Sequence, residues 1–557
     1  MAEPTTHPAA AAPHRAVGLL LVVLWGVLFL PNLRTNPGWY GDEGEWVEMS
    51  RALSHGNLSI GPVRYDFVFP YPYPPLYPLL TGAMLRVFGN DVVVARAAMT
   101  VMALAAAGIL YWIGCRLRDW RFGMLCALAF LVYDETVMHF RWARSHPLAG
   151  TFALASAGFL IRYVQEKRLR DIVWAGAMCA LATATNYFTY PLIGAVILTA
   201  LVVNWRHAFV AAATAGAYGV AFVLWYVLAQ PGGWDQLMTQ VGRLTSVASN
   251  EIRPTFFGEV GRFVENVWTL GFKTPTHGPP PGWTGKDKWL MIATIGFVFL
   301  PARNWRLRLW LPLWLLVLMY GVFKKLNNVP LFFYPATIFL PLMAIGFAGT
   351  LTWAGEGLAR LIRGKNPEVL RWAPAAVVLA VFGMQSTMGA WGRFHSKIDL
   401  WMQSSVAEAE VAMRYVNEHT GPGDFVVVPK QIYWLVREAR RSMLSHCWSY
   451  EGHTNDMWGV PIPRELHTFD CRWQNAKYVV LAAGVDPQTR QARGIDLVYT
   501  FGLSGMKDIV SQMVAEKWPV VHAGGQGVAY LPVGPNATVP VVVGGEYLVL
   551  ANPRLVK

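Results

Sequence analysis

Charge is what this 557-residue chain has least of: Asp, Glu, Lys and Arg together make up 15%, where soluble domains carry roughly a quarter. With 54% hydrophobic and 13% aromatic residues and a mean hydropathy of +0.32, the main solvent expected is lipid. Cysteine is scarce as well. Of five, Cys115, Cys126 and Cys179 lie in or beside apolar segments. Cys447 and Cys471 fall in the polar C-terminal region, where a disulfide requires an oxidising compartment. No glycine-rich nucleotide fingerprint, no RNA- or DNA-binding motif and no whole-chain repeat is present. The formal charge of +13 is therefore assigned to membrane-flanking loops and anionic lipid heads rather than to nucleic acid. A cleavage site is missing too: Ala16 to Leu30 runs into the polar Asn32 to Pro37 stretch without small residues, and reads as a retained first membrane helix.

What is there is a succession of apolar segments near the ~20 residues that span a bilayer. Eleven are expected, centred on Val23, Ala105, Phe130, Ala155, Leu181, Ile197, Ala217, Phe297, Leu315, Leu342 and Leu379. The fifth and sixth are short and separated only by the turn-like NYFTYP from Asn186. Every second loop is rich in Arg and Lys: CRLRDWR, RYVQEKRLRD, NWRH, PARNWRLR and ARLIRGKNPEVLR. By the positive-inside rule these loops and the N-terminus face the cytoplasm. The alternate loops and everything after the eleventh segment face outward.

Two outer loops are long, about residues 32–90 and 230–288. The first carries a surface helix with Trp46, Met49 and Leu53 at helical spacing, set to rest on lipid or on the bundle. YPYPPLYPLL then runs extended through its prolines into another short helix. After about residue 392 the pattern changes. AEAEVAMRYVNEH reads as a helix, GPGD as a turn, and DFVVVP, KYVVLAAG, VAYLPV and VVVGGEYLVL as β-rich runs. The expected architecture is a mainly α integral membrane domain over 1–391 and a small extracytoplasmic α/β domain over 392–557.

The chemistry gathers in a few outward residues. In GWYGDEGEWVEMSR, Asp42 and Glu43 adjoin the first membrane helix. Asp42 could cap the surface helix with Glu45 completing a capping box, leaving Glu45 and Glu48 solvated. Flanking Trp39, Tyr40 and Trp46 instead resemble a sugar-binding environment, in which an ionised aspartate accepts the proton of an attacking hydroxyl or amine. Lys324 and Lys325, in GVFKKLNNVPLFFYP, sit outside against the charge trend; they either snorkel from a helix end or hold a lipid phosphate. Arg141 and Arg144 in HFRWARSHP carry the same two readings. Arg96 lies just inside the second segment, where a charge is costly and is paired or functional. His139 and His146 read as hydrogen-bonded residues or ligands, with no metal spacing to support a site. Asp134 and Glu135 end the third segment, facing water or serving as further acids.

In their order, YGDEGEWVEMSRALSHGNL, YPPLYPLLTGAMLRVFGNDVVVARAAM and FKKLNNVPLFFYPATIFLP resemble the glycosyltransferase C superfamily. Within it they are most similar to lipid A aminoarabinose transferases and dolichyl-phosphate-mannose protein mannosyltransferases. The resemblance covers about the first 390 residues by topology and only those stretches by motif. It implies a multi-pass plasma-membrane enzyme that takes sugar from a polyprenyl-phosphate donor to an outward lipid or glycan acceptor with inversion. Protein hydroxyls are the alternative acceptor, and a transporter or a non-catalytic scaffold the alternative classes. It implies Asp42 as base and Glu43 as its neighbour, with Lys324, Lys325, Arg96 and Arg144 around the donor phosphate. Tyr40, Tyr73 and Tyr334 (ahead of Pro335) would line the substrate. Two departures stand out: His146 occupies the place of an acid after the third helix, and Tyr73 stands where aminoarabinose transferases have lysine before the two prolines. Sugar, acceptor and any divalent metal stay open.

Overall fold

The computed structural model describes residues 13–40, 43–55, 74–229, 333–362, 367–392, 403–404, 406–453, 467–485, 492–495, 504–523, 527–534, 537–543 and 547–556, with isolated positions at 234, 296, 302, 307, 310 and 464. Helices occur at nine of the eleven expected centres: α1 (His14–Phe29), α4 (Val92–Leu117), α5 (Trp120–Leu131), α7 (Ser145–Glu166), α8 (Leu169–Thr185), α9 (Pro191–Val203), α10 (Trp205–Ala229), α11 (Phe333–Leu361) and α12 (Pro367–Trp391). The segments around Phe297 and Leu315 lie outside the described residues. Among those described, five helices are long and apolar enough to cross a membrane. Three short helices intervene: α2 (Glu43–Ser54), α3 (Leu76–Phe88) and α6 (Asp134–His139).

Local chemistry sets the helix ends. Asp91 accepts from the Val93 amide at 2.8 Å and starts α4. Asp119, inside CRLRDWR, accepts from Arg121 and Phe122 at 3.0 Å each and starts α5. These carboxylates satisfy amides that a helix start leaves open. NYFTYP folds as a 3-10 turn (Tyr187–Thr189) with Pro191 at the first position of α9, where its missing N–H costs nothing. α4 and α5 approach so closely that a side chain on Gly114 would meet the Gly123 backbone, the small-residue contact that lets membrane helices touch.

One end of the bundle collects ion pairs: Arg116 with Glu166, Arg118 with Glu356 at 2.9 Å, Arg121 with Glu368 at 3.1 Å, and Arg162 with Asp171 at 3.2 Å. Three of the five basic loops thus share one end of the molecule.

Beyond α12 a different architecture begins. β2 (Gln403–Ser404) and α13 (Val406–Glu418) precede a six-stranded sheet built from β3 (Phe425–Val427), β4 (Arg440–Ser442), β5 (Tyr478–Val485), β6 (Ala492–Ile495), β7 (Val520–Ala523) and β10 (Tyr547–Ala551). Its order is β4-β3-β5-β10-β7 with β6 also on β5. β3 runs parallel to β4 and β5, and β10 antiparallel to β5 and β7. α14 (Leu444–Tyr450) and α15 (Ser504–Ala515) belong to this region, and β8 (Gly527–Gly534) and β9 (Ala537–Val543) form a separate hairpin. VVVGGEYLVL, read as one run, divides between that hairpin and the central sheet. Its Gly-Gly-Glu lies between the two strands, outside the described residues.

Candidate functional site

The end of the bundle opposite the ion-paired loops is organised around two fully buried side chains. Glu43 is the first residue of α2, and Arg96 lies in the second turn of α4; both are 0% exposed. Arg96 Nε donates to Glu43 Oε1 at 2.7 Å and Nη2 to Oε2 at 2.6 Å, the bidentate fork that guanidinium and carboxylate geometry favours. Arg96 Nη1 donates to three carbonyls of the loop after α1, those of Leu33 (2.9 Å), Pro37 (2.9 Å) and Arg34 (3.3 Å). The Ala143 amide donates to Glu43 Oε1 at 2.9 Å.

More bonds fix the same loop. Trp142 Nε1 donates to the Gly38 carbonyl at 2.9 Å, and Arg141 donates to that of Pro31. The Asn36 side-chain amide donates to the carbonyls of Gly389 (2.7 Å) and Ala390 (3.1 Å) at the end of α12. β1 (Trp39–Tyr40) pairs antiparallel with β2, Tyr40 opposite Gln403. Residues 31–40 are therefore held from α4, from the α6–α7 connection, from α12 and from β2. Their own secondary structure is two residues of strand.

This corrects one expectation. Arg96 was expected around a donor phosphate, but it is sealed from solvent and its donors serve Glu43 and the loop carbonyls. Glu43, expected beside Asp42 as a catalytic acid, has both oxygens bound by the protein. A carboxylate so engaged is a pin for the start of α2.

A second group lies next along the chain. Arg144 Nη2 donates to His139 Nδ1 at 2.7 Å, which leaves the ring proton on Nε2, facing Glu135 Oε2 at 3.2 Å. The Arg144 guanidinium also sits 4.7 Å over the Trp142 ring, a cation–π contact in a desolvated place. Arg144 and His146 are 1% and 5% exposed. Glu135, expected in water or as an acid of its own, instead faces His139. Among the described residues no three His, Cys, Asp or Glu side chains converge as a metal site.

Of the expected site residues, the structure brings Glu43, Arg96, Arg144 and His146 to one end of the bundle. Tyr40 is placed by the β1–β2 pairing and Tyr334 lies in α11. Asp42, Tyr73, Lys324 and Lys325 lie outside the described residues.

α2 departs most from expectation. Trp46 is buried and meets the Tyr77 ring edge-on at 5.0 Å, within a cluster of Ala98, Met99 and Leu148, so the helix rests on the bundle. Glu45 and Glu48 are 4% and 2% exposed, which overturns their solvated reading. Glu48 pairs with Arg51 at 3.2 Å and with Arg441 on β4, and Arg51 Nη1 donates to the Trp434 carbonyl at 3.1 Å. Burial lowers the Arg51 pKa; on Arg441 burial pulls the same way, but Glu48 and Tyr433 together outweigh it and raise the value. Arg34 adds an outer tie to Glu410 on α13 (2.9 Å) and Asp91 (2.8 Å). Sequence spacing carried no signal for Arg441, because its partner lies across the fold.

Comparison with known proteins supplies the name for this arrangement. Over 98% of the chain and 100% of its counterpart, the structure superposes on ArnT from Cupriavidus metallidurans bound to undecaprenyl phosphate, with a TM-score of 0.56 and 14% identity. The chain has the glycosyltransferase C fold. The apo oligosaccharyltransferase of Archaeoglobus fulgidus has the same fold at a TM-score of 0.52 and 12% identity, covering 84% of this chain and 69% of that one. Residues 72–232 match the family model described as dolichyl-phosphate-mannose-protein mannosyltransferase, a stretch running from the extended prolines to the end of α10. No curated protein sequence matches the chain. In this glycosyltransferase C fold, the Glu43–Arg96 pin sits where α2 leaves the first long loop.

Proposed function

We propose that the protein is a membrane glycosyltransferase that moves a sugar from a polyprenyl-phosphate donor to an acceptor on the outer face. The observation that carries this reading is the fully buried Glu43–Arg96 fork. It fixes the residue immediately after Asp42, within a fold shared with an enzyme whose structure holds undecaprenyl phosphate. In this reading Asp42 takes the proton of the acceptor hydroxyl or amine. The freed lone pair attacks the anomeric carbon, and the bond from that carbon to the phosphate oxygen breaks with its electron pair on the lipid phosphate. One displacement inverts the anomeric centre. Lys324 and Lys325 stabilise the departing phosphate, a role for charge placed in advance. Arg144 adds its charge beside the donor phosphate, with Tyr40, Tyr73, His146 and Tyr334 against the substrate. The N-terminus is cytoplasmic, and the region beyond residue 392 is an extracytoplasmic domain.

A second acceptor reading has its own support. The match over residues 72–232 is to a protein mannosyltransferase family, which favours Ser or Thr hydroxyls of exported proteins over a lipid or glycan. Mass spectrometry of membrane lipids and exported proteins, from cells with and without the chain, separates the two by which sugar adduct disappears. The catalytic assignment is tested by Asp42→Asn in membranes. At normal protein level, transfer is expected to fall by at least ~100-fold, the usual scale of a general base; full activity would remove Asp42 from the mechanism.

A further inference from the structure

Two of the five cysteines meet in the C-terminal region, away from the bundle. Cys447 lies in α14 and Cys471 just ahead of the 3-10 turn Trp473–Asn475; both are 0% exposed. Their side chains are neighbours, the Cys471 sulfur packing against His446, the residue that precedes Cys447. They share an apolar cluster with Leu444, Trp473, Val479 and Leu481, and both are free thiols. Cys447 Sγ also reaches Ser442 Oγ at 3.6 Å, while Cys471 Sγ lies 3.3 Å from His467 Nδ1 and 3.9 Å from the His446 carbonyl. The two thiols differ in acidity. The Cys447 S–H outweighs burial and, with His467, pulls Cys471 down to about 6, whereas burial pushes Cys447 up. Packing, rather than acidity, makes them a pair: two free thiols share one buried apolar cluster, with the Cys471 sulfur against the residue that precedes Cys447.

We propose that Cys447 and Cys471 are a disulfide-forming pair, oxidised by thiol–disulfide exchange with a disulfide-bearing oxidoreductase on the outer face. One of the two cysteines, as its thiolate, attacks one sulfur of the oxidant's disulfide. A mixed disulfide forms, and the oxidant's other sulfur leaves as a thiolate with the electron pair. The second cysteine then loses its proton to solvent and attacks the first cysteine's sulfur, expelling the oxidant's second thiolate. The chain gives up two electrons and two protons, and the oxidant becomes a dithiol. Since both sulfurs are buried in the folded region, exchange occurs before residues 467–473 close over α14. The bond then braces β4 from behind, through Ser442 and Cys447, and β4 carries the Arg441 that holds Glu48.

The inference rests on the outward placement of this region and not on glycosyl transfer, and its readout involves no activity. The full-length protein in membranes is acid-quenched, denatured and tagged with a maleimide-polymer, before and after reduction. Three tags before reduction and five after are expected, with a Cys447–Cys471 cross-linked peptide in the unreduced digest. Five tags before reduction would overturn the proposal, as would a cross-linked peptide joining any other pair. The C447S/C471S variant must show three tags in both conditions; a change on reduction there would place the bond elsewhere and also overturn it.

Discussion

Replacing Glu43 with glutamine keeps the shape of the side chain and removes its charge, leaving the Arg96 guanidinium buried against a neutral amide. The two groups are 2.6 Å apart at their nearest atoms and both are 0% exposed. At the effective dielectric that suits protein interiors, their attraction is about 6 kcal/mol before desolvation is subtracted. Removing one partner of such a pair costs about 3–5 kcal/mol, because the remaining charge has no counterion and no water. The cost does not stop at the pair. Arg96 also holds three carbonyls of residues 33–37, and Glu43 accepts the Ala143 amide, so the loop loosens together with the start of α2. Glu43→Gln is thus expected to destabilise by about 3–5 kcal/mol and to lower membrane yield, and Arg96→Gln to do the same.

The double variant, with neither charge, should be more stable than the sum of the singles by about 2 kcal/mol or more, the scale of coupling between contacting charges. The assay is a double-mutant cycle of denaturant unfolding in detergent, followed by Trp fluorescence, with transfer activity measured on the folded fraction. The shorter acid in Glu43→Asp cannot reach both guanidinium nitrogens, and should retain fold while losing over ~10-fold in activity through misplacement of residue 42. The refuting result is clear. If Glu43→Gln unfolds within about 1 kcal/mol of wild type, at normal yield, yet transfers no sugar, Glu43 acts chemically and the positioning role is wrong.

Two further outcomes follow from ion pairs outside the bundle. Arg441→Met leaves Glu48 nearly buried with only Arg51 as partner, and should cost about 3 kcal/mol; if a urea titration moves by less than about 1 kcal/mol, Glu48 does not depend on β4. Burial pushes the Asp424 pKa up, but the Gly421 amide at 2.9 Å and Lys477 at 3.0 Å outweigh it and hold it below its ordinary value. The folded state therefore binds fewer protons at this site. Its contribution is fully present above the unfolded value near ~3.9 and is lost as pH falls through the lowered folded value. Asp424→Asn should cost at most about 1 kcal/mol at pH 7, as for a partly exposed pair, and should flatten the acid limb of stability below about pH 4; an unchanged acid limb would dismiss the linkage.

What could be read from the sequence, and what could not, divides along physical lines. Apolar runs near the bilayer span show in the order of residues, and nine of the expected centres carry helices. Turn chemistry is local in the same way: GPGD closes as expected, with Asp424 accepting from Gly421, and NYFTYP stops one helix and starts the next. Arg96 was legible as a costly buried charge. Its partner was not, because Glu43 lies 53 positions away and periodicity says nothing about which elements meet. α2 was misread for a related reason. A stripe of Trp46 and Met49 suggests one buried face, but the helix is packed on one side by α3 and the bundle and on the other by the 3-10 turn Lys430–Leu435 of the C-terminal region, with Arg441 reaching over from β4. Burial therefore extends to Glu45 and Glu48, residues whose charge argued for water. The neutral ring of His139, fixed between Arg144 and Glu135, is another product of three-dimensional contact that residue type alone does not reveal.

The C-terminal sheet is the least expected contributor to the site. A loop in a membrane protein can be ordered only by groups that satisfy its backbone, since an unpaired amide or carbonyl away from water costs several kcal/mol. Residues 31–40 obtain partners from α4, the α6–α7 connection and α12, and their two strand residues pair with Gln403 and Ser404. Four residues after β1 begins, the chain enters α2, whose far side is anchored to β4 through Glu48 and Arg441. The described residues on either side of Asp42, Tyr40 and Glu43, are thus tied to the wider assembly, and a change in β2 or β4 should register at the start of α2 as surely as one in α4. In the proposed mechanism the base follows directly on this loop, and a base has to be held to within about half an ångström of its productive place, which is what ties on both sides of it would supply.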